Sequence, residues 1–112
     1  MSKDCIFCKI AKGEIPAEKL LDNEDLVAFP DINPAAPVHI LIVPKAHIAT
    51  LNDVTDEKIL GKMLAAARDV AKKTGISDTG YRTIINCNRG AGQVVFHLHM
   101  HVVGGRPLES MG

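Results

Sequence analysis

The segment His97-Leu98-His99-Met100-His101-Val102-Val103 alternates imidazoles with apolar side chains over its first six residues. Period-two alternation belongs to a β-strand, whose successive side chains leave on opposite faces. A strand here puts His97, His99 and His101 on one face and Leu98, Met100 and Val102 on the other. A slip of one residue would exchange the faces, so the pattern constrains pairing register as well as local structure. The apolar face anchors the strand. The other face is free for chemistry, because imidazole serves as nucleophile, base, hydrogen-bond donor or metal ligand near neutral pH.

The remaining segments supply neighbours for that strand. Val38-His39-Ile40-Leu41-Ile42-Val43 is almost continuously apolar and β-branched, as in a central strand covered on both faces, with Pro44 as its end and His39 as a polar group in a buried place. Lys19 to Asp22 and Leu26 to Phe29 flank the turn-forming residues Asp22 to Asp25, which predicts a hairpin. Tyr81 to Asn86 and Val95 to Val103 are two further strands, joined by the glycine-rich bend Asn88 to Gln93. Ile59, Leu60, Met63, Leu64, Ala67, Val70 and Ala71 recur at helical spacing and form the one long helix. Thr55 is its expected N-cap, Val54 can staple onto Ile59, and Lys72, Lys73 and Gly75 supply the stop. Cys5 to Lys12 reads as a short helix closed by Gly13, and the three prolines between Pro30 and Pro37 fix a loop. The sum is an α+β domain spanning residues 1–112, a five-stranded antiparallel sheet with one long helix on one face and a short N-terminal helix.

Thirteen basic and thirteen acidic residues cancel, so no global field steers the chain onto nucleic acid or an anionic membrane. No apolar stretch approaches a membrane span and Met1 to Cys5 has no secretory apolar region, so a cytoplasmic address is expected. Three cysteines, two of them in Cys5-Ile6-Phe7-Cys8, suit thiols or metal ligands in a reducing compartment better than a disulfide framework.

Alternate residues on one strand face lie roughly 6–7 Å apart, a spacing that suits a row along a phosphate group. A neutral His99 can attack phosphorus while its other ring nitrogen donates to a carbonyl. His101 can donate to phosphate oxygens, aided by backbone N–H groups of the bend from Asn88 to Gln93. A metal site is the rival use, since two thiolates and two imidazoles make a closed tetrahedral zinc site. From spacing alone, Cys5 and Cys8 read equally well as reduced thiols packed in a short helix. Asn86 can contact a sugar hydroxyl or phosphate, or simply serve the turn. Asp31 can accept from ribose hydroxyls with Ile32 and Phe29 beside a base, or be a loop residue solvated by water.

His97 to Val103 matches the His-x-His-x-His-x-x signature of the histidine triad (HIT) superfamily. Cys5 to Ile10, Phe29 to Pro34, His39 to Lys45 and Gly92 to Phe96 resemble, in order, the blocks of its nucleotide-binding Hint branch, so the resemblance spans nearly the whole chain. It implies a homodimer of five-stranded sheets with a purine nucleotide site on the histidine face. It implies hydrolysis of nucleoside phosphoramidates through a nucleotidyl-histidine intermediate on His99, which water resolves to a nucleoside monophosphate. By the same resemblance His101 contacts the α-phosphate and His97 supports the site's geometry. Asp31 and Ile32 meet ribose and base, while Asn86, Gly92, Gln93 and the backbone at Val94 meet ribose and phosphate. Several Hint proteins carry a hydroxyl residue where this chain has Val94, and valine cannot protonate a leaving amine. The chain runs only briefly past Gly104-Gly105-Arg106-Pro107, so specificity set by a longer C-terminal tail is expected to be absent or changed. Zinc-binding relatives imply a structural zinc ion on Cys5, Cys8, His47 and His97, leaving His39 as a partner behind the catalytic face. Two alternatives stand beside the phosphoramidase: a dinucleoside polyphosphate hydrolase and a non-catalytic nucleotide-binding interaction module.

Overall fold

The apolar run around Ile40 forms the middle of the sheet. In the computed structural model, which describes residues 4–110, the strands are β1 (Leu21–Asp22), β2 (Leu26–Pro30), β3 (Val38–Pro44), β4 (Tyr81–Ile84) and β5 (Met100–Gly104). They make one antiparallel sheet in the order β1-β2-β3-β5-β4. β3 pairs on both edges, and every residue of it except Val38 is buried, as a strand covered on both faces requires.

Each face of the sheet carries its own core. On one, α2 (Lys58–Lys73) lays Met63, Ala66, Ala67, Val70 and Ala71 over Leu26, Ile40, Ile42, Leu98, Met100 and Val102. On the other, Phe7 and Ile10 of α1 (Ile6–Ala11) pack on Val27, Phe29, Leu41 and Val43. The alternation in residues 97 to 102 therefore sorts as expected, with Leu98, Met100 and Val102 beneath α2.

The strand that carries it is shorter than the expected Val95 to Val103. The ladder between β3 and β5 ends at the pair Ile42↔Met100, because continuing it would set residue 98 opposite Pro44, which has no N–H to give. Leu98 N–H instead donates to Ile48 O at 2.6 Å. β4 stops at Ile84, paired with His101, one residue short of the end of β5.

α2 starts at Lys58, three residues after the expected cap. Thr50 and Asp53 form a capping box around a 3-10 turn at Leu51–Asp53, and this turn takes up the chain that Thr55 was expected to cap. Asp56 Oδ1 then receives the Lys58 N–H at 3.1 Å. The helix ends as expected, with Lys72 and Lys73 in its last turn and Gly75 at φ +79°. Leu64, placed by its spacing on the core face, is 55% exposed, because the buried stripe runs through Met63, Ala67 and Val70 and leaves it at the margin. Among the described residues, no helix is long and apolar enough to cross a membrane.

Candidate active site and metal centre

His97 sits just before β5, wholly buried, with its ring held by the end of β3. Nε2–H donates to Pro44 O at 2.7 Å, which fixes the tautomer and turns the Nδ1 lone pair toward α1. Cys5 caps α1, its Sγ accepting the Cys8 N–H, so one turn presents both thiols. His97 Nδ1 lies 3.2 Å from Cys5 Sγ and 3.4 Å from Cys8 Sγ, and His47 Nδ1 lies 3.2 Å from Cys8 Sγ. All four ligand atoms fall within 4.8 Å of one another. A tetrahedron with arms of about 2.0–2.3 Å has edges of roughly 3.3–3.8 Å, so the group needs little adjustment to close on one ion. Burial lowers the His97 pKa and favours the neutral imidazole that a metal requires. Four protein ligands leave no open position, which makes any such centre structural.

His97 contributes a second group. Its backbone carbonyl accepts a 2.7 Å hydrogen bond from His99 Nδ1–H, which leaves the ring's lone pair on Nε2. Burial, against the opposing pull of that carbonyl and of Asp31, lowers the His99 pKa and keeps the ring neutral. Phe7 packs edge-on against it with centroids 5.0 Å apart. Because Phe7 lies between the two cysteines, the turn that gathers the thiols also supports the imidazole.

The proton on His101 is set from further away. Ala35 N–H donates to His39 Nδ1 at 2.9 Å, so His39 must carry its proton on Nε2. That proton is donated to His101 Nδ1 at 2.9 Å, so His101 must present Nε2–H. Burial first, then the neighbouring His99 and His39, push the His101 pKa down to about 4, so it acts as a neutral donor. Asp31 Oδ2 stands 3.5 Å from His39 Nε2, and its Oδ1 accepts from Asn33 N–H. Asp31, His39 and His101 also lie close enough to hold a metal, yet the His39 nitrogens are both taken by this chain of hydrogen bonds.

The glycine-rich bend is held from beneath. Gln93 is buried, with Oε1 accepting from Asn88 N–H and Nε2 donating to Ala49 O and Val95 O. It braces a turn in which Asn88 has φ +73° and Gly92 φ +91°. Asn86 Nδ2 donates to Ala91 O at 2.8 Å, while its residue lines the same cavity as His101. Ile32 and Val94 are the most exposed large apolar residues described, at 90% and 86%.

The structure thus gathers Cys5, Cys8, His47 and His97 into one group, and His99 and His101 with Asp31 and His39 into another. Ile32, Gly92 and Val94 stay on exposed loops. Phe7, Pro44 O and Ala35 N–H were not anticipated. Phe7 had a signal, since it lies on the turn between the two cysteines. The two main-chain groups had none, because every residue but proline carries both.

A profile described as HIT domain matches residues 12–108. The chain is 47% identical to the purine nucleoside phosphoramidase of Escherichia coli K12 over an alignment covering 99% of this chain and 95% of that one. It superposes on a histidine triad protein from Clostridium difficile with TM-score 0.94 and 44% identity, covering 98% and 97% of the two chains. A Zn-bound histidine triad family protein from Mycobacterium smegmatis aligns at TM-score 0.83 and 35% identity, over 95% of this chain and 78% of that one.

Proposed function

The chain belongs to the HIT family, and from that premise we propose that it hydrolyses purine nucleoside phosphoramidates through a nucleotidyl-histidine intermediate on His99. The observation that carries this reading is the pair of fixed tautomers. His99 holds its proton on Nδ1 and exposes the Nε2 lone pair, while His101 holds its proton on Nε2. Attack by His99 Nε2 forms an N–P bond, the substrate P–N bond breaks with its electron pair going to nitrogen, and the amine leaves with a proton taken from solvent water. His101 Nε2–H donates to the phosphoryl oxygens where charge develops. Water then attacks phosphorus, returning His99 and a nucleoside monophosphate.

In this reading Asp31 and Ile32 meet ribose and base. Asn86, Gly92, Gln93 and the Val94 backbone meet ribose and phosphate, with Gln93 acting mainly as the brace of the bend. His97 supports His99 through its carbonyl. Cys5, Cys8, His47 and His97 hold a structural zinc ion, a reading supported by the donor set and by the zinc-bound relative. Those four residues would, with an ion between them, tie α1 and the loop after β3 to the approach to β5. Two thiolate ligands suit a reducing compartment such as the cytoplasm. A homodimer is supported by the open outer edge of β4 and by the apolar groove of Leu51, Leu60, Leu64 and Ile85 beside it.

Rapid quench of a phosphoramidate reaction is the test. The wild-type chain should carry a covalent nucleotidyl group that His99→Ala lacks, and normal turnover by that variant would sink the proposal.

A further inference from the structure

The relay that sets the His101 proton starts in a loop with little of its own to hold it. β2 ends at Pro30 and β3 starts at Val38, so residues 31 to 37 belong to neither strand. Pro34 and Pro37 have no N–H to give to a turn, and Ala35 between them is exposed. Yet Ala35 must aim its N–H at His39 Nδ1, 2.9 Å away. Water competes for an exposed amide, so the aim needs a second support.

That support comes from the segment after β5. Gly104, the last residue of β5, pairs with Val38, the first of β3, so the chain leaving β5 emerges beside the end of the loop. Gly105 follows at φ +97°, and a Cβ on it would lie 3.0 Å from Pro37 Cβ, so bare backbone crosses the loop at close range. Arg106 is thereby brought to Ala35, whose O accepts from Arg106 Nη2–H at 3.0 Å. Arg106 Nη1–H donates to Pro107 O at 2.9 Å, which holds the guanidinium in place. Ala35 is thus gripped on both sides of its Cα, by His39 at the N–H and by Arg106 at the carbonyl. With each peptide unit planar, the two bonds together restrain both of its backbone dihedrals.

We propose that Arg106 is a positioning residue for His101. Its guanidinium holds the Ala35 carbonyl, Ala35 N–H keeps the His39 proton on Nε2, and that proton in turn keeps the His101 proton on Nε2. Three hydrogen bonds of 3.0, 2.9 and 2.9 Å carry the setting. Without the first, the Ala35 N–H turns toward water and His39 Nδ1 is open to a proton. The pair can then reverse, with His39 protonated on Nδ1 and His101 Nδ1–H donating to His39 Nε2. His101 would offer a lone pair where the phosphoryl oxygens need a donor. Asp31 Oδ2 favours the original arrangement, but at 3.5 Å from His39 Nε2 it is too distant to enforce it alone. The kinetic consequence rests on the phosphoramidase reading, whereas the tautomer follows from the hydrogen bonds themselves.

The test uses the full-length protein with Arg106→Met, which keeps the apolar stem and removes the donors, and Arg106→Lys, which keeps a donor. ¹⁵N spectra of the histidine rings report the tautomer with no substrate present. His101 should carry its proton on Nε2 in the wild-type and Arg106→Lys proteins and divide it between the two nitrogens in Arg106→Met. In hydrolysis of an adenosine phosphoramidate, Arg106→Met should lower kcat about fivefold with KM little changed, and Arg106→Lys should recover most of the rate. On a His39→Leu background Arg106→Met should cost nothing further, because the relay is already cut. A folded Arg106→Met protein whose His101 stays protonated on Nε2 alone overturns the inference. So do losses that multiply across the two substitutions, or a loss confined to KM, since either would have Arg106 act by a route other than His39. If the wild-type protein hydrolyses no phosphoramidate, the functional reading falls, and the spectra still decide whether Arg106 sets the tautomer.

Discussion

Replacing His39 with leucine should slow turnover without touching any group that reaches the substrate. His39 is 9% exposed and makes two 2.9 Å hydrogen bonds, accepting from Ala35 N–H and donating to His101 Nδ1. Leucine removes both. The Ala35 N–H loses its partner, which costs about 1–3 kcal/mol of stability depending on how readily water replaces the acceptor. His101 Nδ1 loses the donor that holds its proton on Nε2. One hydrogen bond of this kind is worth about 1–2 kcal/mol, so the donor aimed at the phosphoryl oxygens weakens by that amount and kcat falls roughly 5- to 30-fold. KM should change little, since the donor matters most as charge develops on phosphate. His39→Gln keeps an N–H₂ group for His101 and should recover much of the rate. The assay is steady-state hydrolysis of an adenosine phosphoramidate at pH 7 by the wild-type, His39→Leu and His39→Gln proteins. Thermal melts would check folding, and ¹⁵N spectra of His101 would report its tautomer. A folded His39→Leu protein with an unchanged kcat would refute the relay, and so would a His101 that keeps its Nε2 proton while turnover collapses.

Three other outcomes follow from the same geometry. Cys8→Ser should lower metal content, by elemental analysis, and lower Tm by several degrees, because Cys8 approaches both His47 and His97; full metal occupancy in that variant would exclude the four-ligand group. His101 has a folded pKa near 4, well below its ordinary 6.5, so below pH 6.5 the unfolded chain binds more protons there. Stability should therefore be fully present above pH 6.5 and fall as the pH drops toward 4, and melts across that range should show a shallower slope for His101→Gln than for the wild-type protein. Gly104→Ala should cost about 1–3 kcal/mol in urea titration, because its Cβ would lie 2.9 Å from Gly80 O and 3.0 Å from Ile76 Cδ1, and the carbonyl cannot move alone.

Much of this architecture was legible from alternation. The two periods, two in residues 97 to 102 and near 3.6 in residues 59 to 71, place Leu98, Met100 and Val102 against Met63, Ala67 and Val70. The ends of elements were less legible, because they depend on partners elsewhere in the chain. Nothing in His97 to His99 shows that the ladder must stop at Met100; that follows from Pro44, fifty-odd residues earlier and opposite in space. Thr55 has the right chemistry for a cap, but Thr50 and Asp53 capture the chain first. In the metal group, the four residues pointed to by family resemblance do converge in space, although Cys-x-x-Cys by itself left the matter open. His39 was visible as a polar residue in a buried strand, but its partner at residue 101 follows only from the pairing of β3 with β5.

The tautomers of His99 and His101 both trace back to the main chain, one to the His97 carbonyl and the other, through His39, to the Ala35 amide. A carbonyl or an amide cannot be deleted by a point mutation, short of proline at residue 35. The protonation pattern of the site is thus written into the path of the backbone rather than into the identity of its neighbours. Side chains that do not hold that path can drift while the settings persist. Conversely, transplanting the histidines onto another sheet would carry over the residues and leave those settings behind, unless the turn at Ala35 and the strand end at Pro44 went with them.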